Sequence, residues 1–184
     1  MGVFKEGKMN NKIQVTIKGD SALLMHAFPL VPIEAIEKRS PQEQAELASY
    51  RDAVTGELYI PGVAIQRALV GAATYSKGKG RASLQKIAAA CLLVDPERIS
   101  LGIKKFEIDS RPVVVPATRG RVMRHRPRLE NWTVSFNLEY DNNLLTEKQV
   151  RTIVNDAGSK VGLLDFRPEK KGPFGRFSVI NWNS

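Results

Sequence analysis

Residues 58–73 read LYIPGVAIQRALVGAA, and this stretch indicates how the chain folds. The apolar run at its start predicts a short strand, and the Pro61-Gly62 pair is typical of a turn. After the turn, apolar residues recur at i, i+3, i+4, i+7 and i+8 from Ile65 to Ala73. This spacing predicts an amphipathic helix that buries one face.

Further strands and helices are predicted on both sides of this stretch. Residues 12–19 and, most clearly, residues 131–140 (NWTVSFNLEY) alternate apolar and polar side chains, as half-buried strands do. Capping boxes, each a hydroxyl residue followed three positions later by Glu or Gln, predict two more helices. They are Ser40 with Glu43, and Thr146 with Gln149, and the second helix is expected to end near Gly158 or Gly162.

The remaining segments complete an alternating order of elements. Residues 111–118 (RPVVVPAT) predict an edge or bent strand, and Phe177 begins the last strand. Residues 86–94 (KIAAACLLV) fit either a helix or a buried strand. If about residues 20–57 and 76–110 are insertions, the remaining strands and helices follow the order β-α-β-β-α-β. We therefore expect a single α+β domain over residues 1–184 with a ferredoxin-like core, the arrangement of the RNA-recognition motif.

The composition favours an anionic partner. The chain has 28 Lys and Arg against 19 Asp and Glu, a net charge of +9, and nucleic acid is the usual partner of such a protein. No apolar run is long enough to cross a bilayer, and the N-terminal residues do not form a signal peptide. With Cys91 as the only cysteine, no intrachain disulfide forms and a Cys/His zinc site is excluded within one chain. We expect the protein to be cytoplasmic, to have no membrane partner, and to bind neither a metal nor a cofactor.

Two segments carry basic residues without any acid. Residues 111–128 hold six arginines and a histidine, and residues 76–86 hold four basic residues. A solvated face mixes both signs of charge, so these segments are predicted to contact phosphates rather than only water. A solvated or disordered loop is the alternative for each. The predicted contacts are Arg119, Arg121, Arg124, His125, Arg126 and Arg128, together with Lys77, Lys79 and Arg81.

A third basic segment is the loop before the last strand, where residues 161–177 read VGLLDFRPEKKGPFGRF. We expect its two central glycines to allow a close approach of the backbone to phosphates, Lys170, Lys171 and Arg176 to neutralise these phosphates, and one aromatic ring at the loop's tip to stack on a base. Phe166 and Phe177 are expected in the core. The alternative is a plain β-turn. The predicted contacts are Gly172, Gly175, Arg167, Lys170, Lys171, Arg176 and Phe174.

Two of these segments resemble a known family. LYIPGVAIQRALVGAA is similar to the strand, Pro-Gly and helix signature of the RAMP superfamily of CRISPR ribonucleoproteins, with Arg67 as the basic residue of the helix. GLLDFRPEKKGPFGRF resembles the glycine-rich loop that this superfamily carries before its last strand. The resemblance implies RNA binding, most like the backbone subunits that coat a guide RNA, or a stand-alone phage or mobile-element relative. The implied partners are RNA or single-stranded DNA, further copies of the chain, or other ribonucleoprotein subunits.

Two other functions compete with this interpretation. His26 follows the first strand, and in RAMP endoribonucleases a histidine from that region acts as general base, so the resemblance also allows RNA cleavage. A lone histidine more often packs or caps, and no complete set of catalytic groups is apparent, so we expect no catalysis. The second competitor is a phage or assembly protein whose basic face meets another protein. Cys91, Trp132 and Trp182 are expected in the core.

Overall fold

The structure, a computed structural model, describes residues 11–28, 32, 36–78, 80, 82–114 and 119–184. Lys79 and Arg81, both predicted to contact nucleic acid, lie outside the described residues. The strands are β1 (Asn11–Gly19), β2 (Leu23–Leu24), β3 (Tyr59–Pro61), β4 (Leu92–Asp95), β5 (Arg98–Ser100), β6 (Glu107–Val114), β7 (Arg121–Leu129), β8 (Thr133–Tyr140) and β9 (Phe177–Asn183). The helices are α1 (Pro41–Leu47), α2 (Gly62–Ala72), α3 (Gln85–Cys91) and α4 (Glu147–Asp156), with a π-helical turn (Ala157–Val161) and a 3₁₀ turn (Pro168–Lys170).

Helices and antiparallel strands are mixed, so the fold is α+β as predicted. The main sheet has four strands in the order β4-β8-β1-β9. All three of its strand pairs are antiparallel. On one face, Ile13, Val15 and Ile17 of β1 are buried, and they lie opposite Leu138, Phe136 and Val134 of β8, which are also buried. On the other face, Thr16 and Ser135 share a hydrogen bond of 2.8 Å. The alternation along β1 therefore produces one apolar and one polar face.

Three helices pack on the apolar face of the sheet, and the shortest of them, α3, buries Ala88 and Cys91 in the core. The predicted stripe of α2 is confirmed, because Ile65, Ala68, Leu69, Ala72 and Ala73 are all buried in one cluster with the strands. Helix α4 contributes Val150, Ile153 and Val154 to the same cluster.

The predicted helix starts are also confirmed. Both capping boxes form. In the second, the backbone N–H of Gln149 donates to Thr146 Oγ1 at 3.3 Å, and the backbone N–H of Thr146 donates to Gln149 Oε1 at 2.9 Å. The helix and its π-helical turn end at Gly162, which has a φ of 76°.

One strand of the main sheet comes from a segment that is predicted to be an insertion. The sequence predicts an insertion over residues 76–110, yet this segment contains α3 and β4, and β4 is an edge strand of the main sheet. Leu92 and Val94 point to the core, and Val94 pairs with Leu138 of β8. Residues 86–94 are thus a helix followed by a strand rather than one or the other. The run LLVD is too short to show a period, so its strand pairing comes from β8.

Residues 111–114 and 121–128 of the basic segment belong to a second sheet. Strands β6 and β7 form an antiparallel hairpin, and β2 joins it in the order β2-β7-β6. Helix α1 packs against β7. A short ladder of β3 with β5 is the third sheet. No helix in the described part of the chain is long and apolar enough to cross a membrane.

Candidate nucleic-acid interface

A cavity of about 310 Å³ lies where the start of α2 faces the loop that follows α4. From the α2 side, Pro61, Val63, Ala64, Arg67 and Ala68 line it. The loop after α4 lines the opposite side with Gly162, Leu164, Asp165 and Arg167. The rest of the wall consists of His26 and Tyr50. The two sequence segments that carry the family resemblance thus line one cavity, although they are far apart in the chain. We call this space the α2 cavity.

Backbone hydrogen bonds fix His26 in the wall of the α2 cavity. The backbone amide of Met25 donates to the carbonyl of Pro127 at 2.9 Å, and the backbone amide of Ala27 donates to the carbonyl of Ala48 at 2.8 Å. These two bonds join the chain on each side of His26 to β7 and to the end of α1. The amide of Asp165 donates to the carbonyl of Leu24 at 3.0 Å, which brings the glycine-rich loop to the same segment.

His26, Asp165 and Arg126 form a chain of polar contacts. His26 Nδ1 lies 3.4 Å from Asp165 Oδ2, and Arg126 Nη1 donates to the same oxygen. Arg126 Nη2 also lies 3.7 Å from Asp109 Oδ1. Burial raises the pKa of Asp165, but the hydrogen bond with His26 and the charge of Arg126 outweigh burial and hold it at about 2, against an ordinary 3.8. The carboxylate is therefore ionised at neutral pH and orients the imidazole.

Arg126 is not available to phosphates, contrary to the prediction. Its side chain is only 5% exposed and lies between the carboxylates of Asp109 and Asp165. A buried guanidinium requires such partners because its desolvation is costly. Its Nε is buried and has no hydrogen-bond partner among the described residues. Arg126 therefore positions the pair of His26 and Asp165.

Several of the predicted cations do surround His26. Within the described ranges, Arg67 is exposed and has neither an acidic partner nor a hydrogen-bond acceptor. Arg167 donates to Glu169 and, at 2.9 Å, to the carbonyl of Leu164, so its guanidinium is held in place. A second, small cavity of about 30 Å³ also contains His26 and is lined by Arg124 and His125. The structure thus brings Arg67, Arg124, His125 and Arg167 to two cavities that share His26.

The other cations predicted on the hairpin and before α3 lie elsewhere. Arg119 and Arg121 are exposed at the start of β7, and Arg128 pairs with Glu107 and Glu130. Lys77 lines a separate cavity of about 310 Å³ beside Lys148. These residues do not contact the α2 cavity.

The glycine-rich loop uses its glycines for its own packing. A Cβ at Gly172 would lie 1.8 Å from the carbonyl oxygen of Phe166, and one at Gly175 would lie 2.1 Å from that of Leu163. Leu164, Phe166 and Lys171 have φ values of 58°, 46° and 60°, which L-residues rarely adopt. The loop is therefore held in one conformation by close internal contacts, and these contacts by themselves account for both glycines.

The lysines of the loop are exposed, whereas its aromatic ring is buried. Lys170 and Lys171 are exposed, whereas Arg176 Nη1 donates to the carbonyl of Ser159 at 2.7 Å. Phe174 was predicted at the loop's tip, but it is 8% exposed and belongs to a small cluster with Ala22, Leu24 and Phe166. The guanidinium of Arg111 lies 4.8 Å from its ring centre. Phe174 therefore packs inside the protein and does not present a free face to a base.

Three residues of this region were not identified from the sequence. Tyr50 lines the α2 cavity, and burial is the main cause that raises the pKa of its phenol, so the hydroxyl stays protonated at neutral pH. Arg111 pairs with Asp109 and covers two aromatic rings. Asp165 had the only usable signal, because it is an acid that directly follows an apolar run in a basic segment. Across the described ranges, no three His, Cys, Asp or Glu side chains group as metal ligands would.

In comparisons with known proteins, no family model matches this sequence, and no curated protein shows significant similarity to it.

Proposed function

We propose that this protein binds RNA or single-stranded DNA with little sequence preference. In this proposal it acts as a subunit of a ribonucleoprotein, similar to the guide-RNA-coating backbone subunits of the RAMP superfamily, with copies of itself or other subunits as neighbours. The observation that carries the proposal is the meeting of the Pro-Gly helix and the glycine-rich loop at the α2 cavity. The resemblance of each segment is weak alone, but the fold joins both at one site.

The charge around the cavity supports an anionic ligand. Arg67 and Arg124 have no acidic partner in the described part of the chain, and His26, His125 and Arg167 lie beside them. Guanidinium groups bind phosphate oxygens bidentately, which favours nucleic acid over a simple counterion. A single strand presents one phosphate per nucleotide, so neighbouring cations can each contact one.

The fold supports the same proposal. The chain order β1, α2, β4, β8, α4, β9 with the sheet order β4-β8-β1-β9 is that of a ferredoxin-like core, which we propose for this domain. In this scheme the hairpin of β6 and β7 is inserted between the second and third core strands. We also propose a cytoplasmic location, because the single cysteine, Cys91, is buried and requires no oxidising compartment.

A second candidate is cleavage of the bound RNA, and the pair of His26 and Asp165 favours it. Asp165 accepts from the Nδ1 side of the ring, which leaves Nε2 free to take a proton from a ribose 2′-hydroxyl. Arg67 and Arg167 would face the phosphate that gains charge, and the protonated Tyr50 hydroxyl would serve as a donor. In this candidate the 2′-oxygen forms a bond to the adjacent phosphorus and the bond from phosphorus to the 5′-oxygen breaks, which gives a 2′,3′-cyclic phosphate. The 5′-oxygen leaves as a hydroxyl with a proton taken from water, so the reaction is a metal-independent transesterification.

One experiment separates these functions. Fluorescent single-stranded RNA, single-stranded DNA and duplex are titrated with the protein at about 50 mM and about 200 mM salt, and each mixture is then run on a denaturing gel. The proposal expects both single strands to bind, with a loss of about 20- to 50-fold in affinity at the higher salt for three or four phosphate contacts. Cut RNA that depends on His26 would support the second candidate. Absence of binding at low salt would overturn the proposal and favour a protein-binding basic face.

A further inference from the structure

We propose that the α2 cavity takes up one nucleotide of the bound strand, with the phosphate at Arg67 and the base against Tyr50. This inference rests on the proposed function and goes beyond it, because a sequence-tolerant grip on a backbone needs only an open groove. The volume of about 310 Å³ lies at the lower end of small-molecule sites, which begin at about 300 Å³. The space suits a nucleoside monophosphate rather than a longer fragment.

Two features of α2 provide a phosphate site. Arg67 lies one turn into the helix on the side of the cavity, and in the described part of the chain its guanidinium contacts no acid. The helix begins after Pro61, and no side chain caps its first turn. Val63 and Ala64, which belong to that first turn, line the cavity. The first N–H groups of a helix have no acceptor within the helix and attract anions. The amide of Gly62 donates to the carbonyl of Glu97 at 2.6 Å, so the amides of Val63 and Ala64 are the ones that add to the charge of Arg67.

The opposite wall provides further polar groups. Arg167 is held by Glu169 and by the carbonyl of Leu164, so it presents fixed donors but little net charge. His26 is held by Asp165 and can donate when it is protonated. Among the described residues, the site therefore has one unneutralised cation, Arg67, and several oriented donors. This arrangement fits one phosphate group better than a series of phosphates.

The rest of the cavity is apolar and contains an aromatic ring. Tyr50, Pro61, Val63 and Leu164 supply this part of the wall. Tyr50 packs on Tyr59 with ring centres 5.8 Å apart, which holds its ring in place. Leu164 is held in a left-handed conformation, so the loop wall is preformed. A base can stack on such a ring whatever its identity, which agrees with a sequence-tolerant protein.

The test uses free nucleotides as probes. Binding of AMP, GMP, CMP, UMP and inorganic phosphate is measured by isothermal titration calorimetry, and binding of a labelled single-stranded RNA is measured in parallel. The inference expects each monophosphate to bind at least about tenfold more tightly than phosphate, because only the monophosphates stack a base. Arg67→Gln is expected to weaken monophosphate binding about tenfold. Val63→Glu, which places a carboxylate at the cavity wall, is expected to abolish it. Arg151→Gln, an exposed arginine on α4 outside the cavity, is expected to change nothing.

Each outcome distinguishes this inference from the proposed function. If the RNA binds but no monophosphate binds up to about 10 mM, the inference is wrong and the proposed function stands. If phosphate and the monophosphates bind equally, the cavity is only an anion site and the inference is also wrong. If the monophosphates bind through Arg67 and the RNA does not bind, the cavity is a nucleotide site, but the proposed function fails, and with it the claim that the nucleotide belongs to a bound strand.

Discussion

Replacing Asp165 by Asn is expected to destabilise the protein and to remove a specific pH dependence. Asp165 Oδ2 accepts from Arg126 and from His26, and the Arg126 side chain is 5% exposed. Asn keeps the size of the side chain but loses its charge, so the buried guanidinium keeps only Asp109, 3.7 Å away. The variant thus leaves a buried cation poorly compensated, which is among the costlier changes in a protein interior.

The magnitude follows from the pKa of the carboxyl group. A pKa of about 2 in the folded protein, against an ordinary 3.8, corresponds to about 2 kcal/mol of stability at neutral pH. Removing one member of a buried pair costs about 3–5 kcal/mol in general, and the remaining contact with Asp109 argues for the lower end. We therefore expect a loss of about 2–3 kcal/mol at neutral pH. For a chain of 184 residues this lowers Tm by about 5–10 °C.

The pH dependence gives the sharper test. Because the folded pKa of Asp165 is lowered, its stabilisation is fully present above the ordinary pKa of 3.8 and is lost as the pH falls through about 2. Urea unfolding of the native protein and of Asp165→Asn is measured at about pH 7, pH 5 and pH 3. The difference in unfolding free energy should be constant between the two higher pH values and about 1 kcal/mol smaller at the lowest.

A matched control separates this effect from loss of any surface ion pair. Glu130 is 56% exposed and pairs with Arg128, so Glu130→Gln should cost less than about 1 kcal/mol. The reasoning is refuted if Asp165→Asn costs no more than this control. It is also refuted if the difference between the native protein and Asp165→Asn is the same at about pH 3 as at about pH 7.

Three further predictions concern the loop, the hairpin and the histidine. Gly172→Ala should destabilise the protein by about 2 kcal/mol or more in urea unfolding, because its Cβ would lie 1.8 Å from the carbonyl oxygen of Phe166. Gly56→Ala, at a φ of 71° with open space around it, should cost only about 1 kcal/mol, and equal costs would contradict the packing argument. Arg111→Met should lower the unfolding free energy by about 1–2 kcal/mol, since its guanidinium lies 5.6 and 4.8 Å from two aromatic rings, and an unchanged value would mean that these contacts contribute nothing. His26→Ala should keep an affinity for single-stranded RNA within about threefold of that of the native protein. If the native protein cleaves RNA on a gel and the variant does so equally, His26 is excluded as the base.

Local signals predicted most of the secondary structure, and a non-local contact explains the main difference. The capping box at Thr146 and the alternation along β8 are contained within a few neighbouring residues, so both could be identified from the sequence. Strand β4 has only Leu92–Asp95, and its place in the sheet depends on pairing with residues 137–140 of β8. A four-residue apolar run has no period of its own, which is why residues 76–110 were misassigned as an insertion.

The sequence predicts that the candidate site is basic, but it does not predict which of its arginines form ion pairs with acids. The sequence shows a run of arginines, yet Arg126 is neutralised by Asp165, which lies 39 residues away in the chain. Arg67 and Arg124 have no acidic partner in the described ranges. Likewise, Phe174 lies among basic residues in the sequence but packs on Phe166 in the fold. Which polar groups remain free depends on tertiary contacts that no single segment contains.

We propose that the cations around His26 bind a single-stranded nucleic acid through its phosphates. The most direct measurement is the salt dependence of RNA affinity for the native protein and for a double variant, Arg67→Gln with Arg124→Gln, with Arg151→Gln as the control. Each lost phosphate contact on a single strand should reduce the slope of log K against log salt by about 0.7, so the double variant should lose about 1.4. We expect this loss for the double variant and an unchanged slope for Arg151→Gln. A double variant that keeps the native slope, or a native protein that fails to bind at low salt, would contradict the proposal.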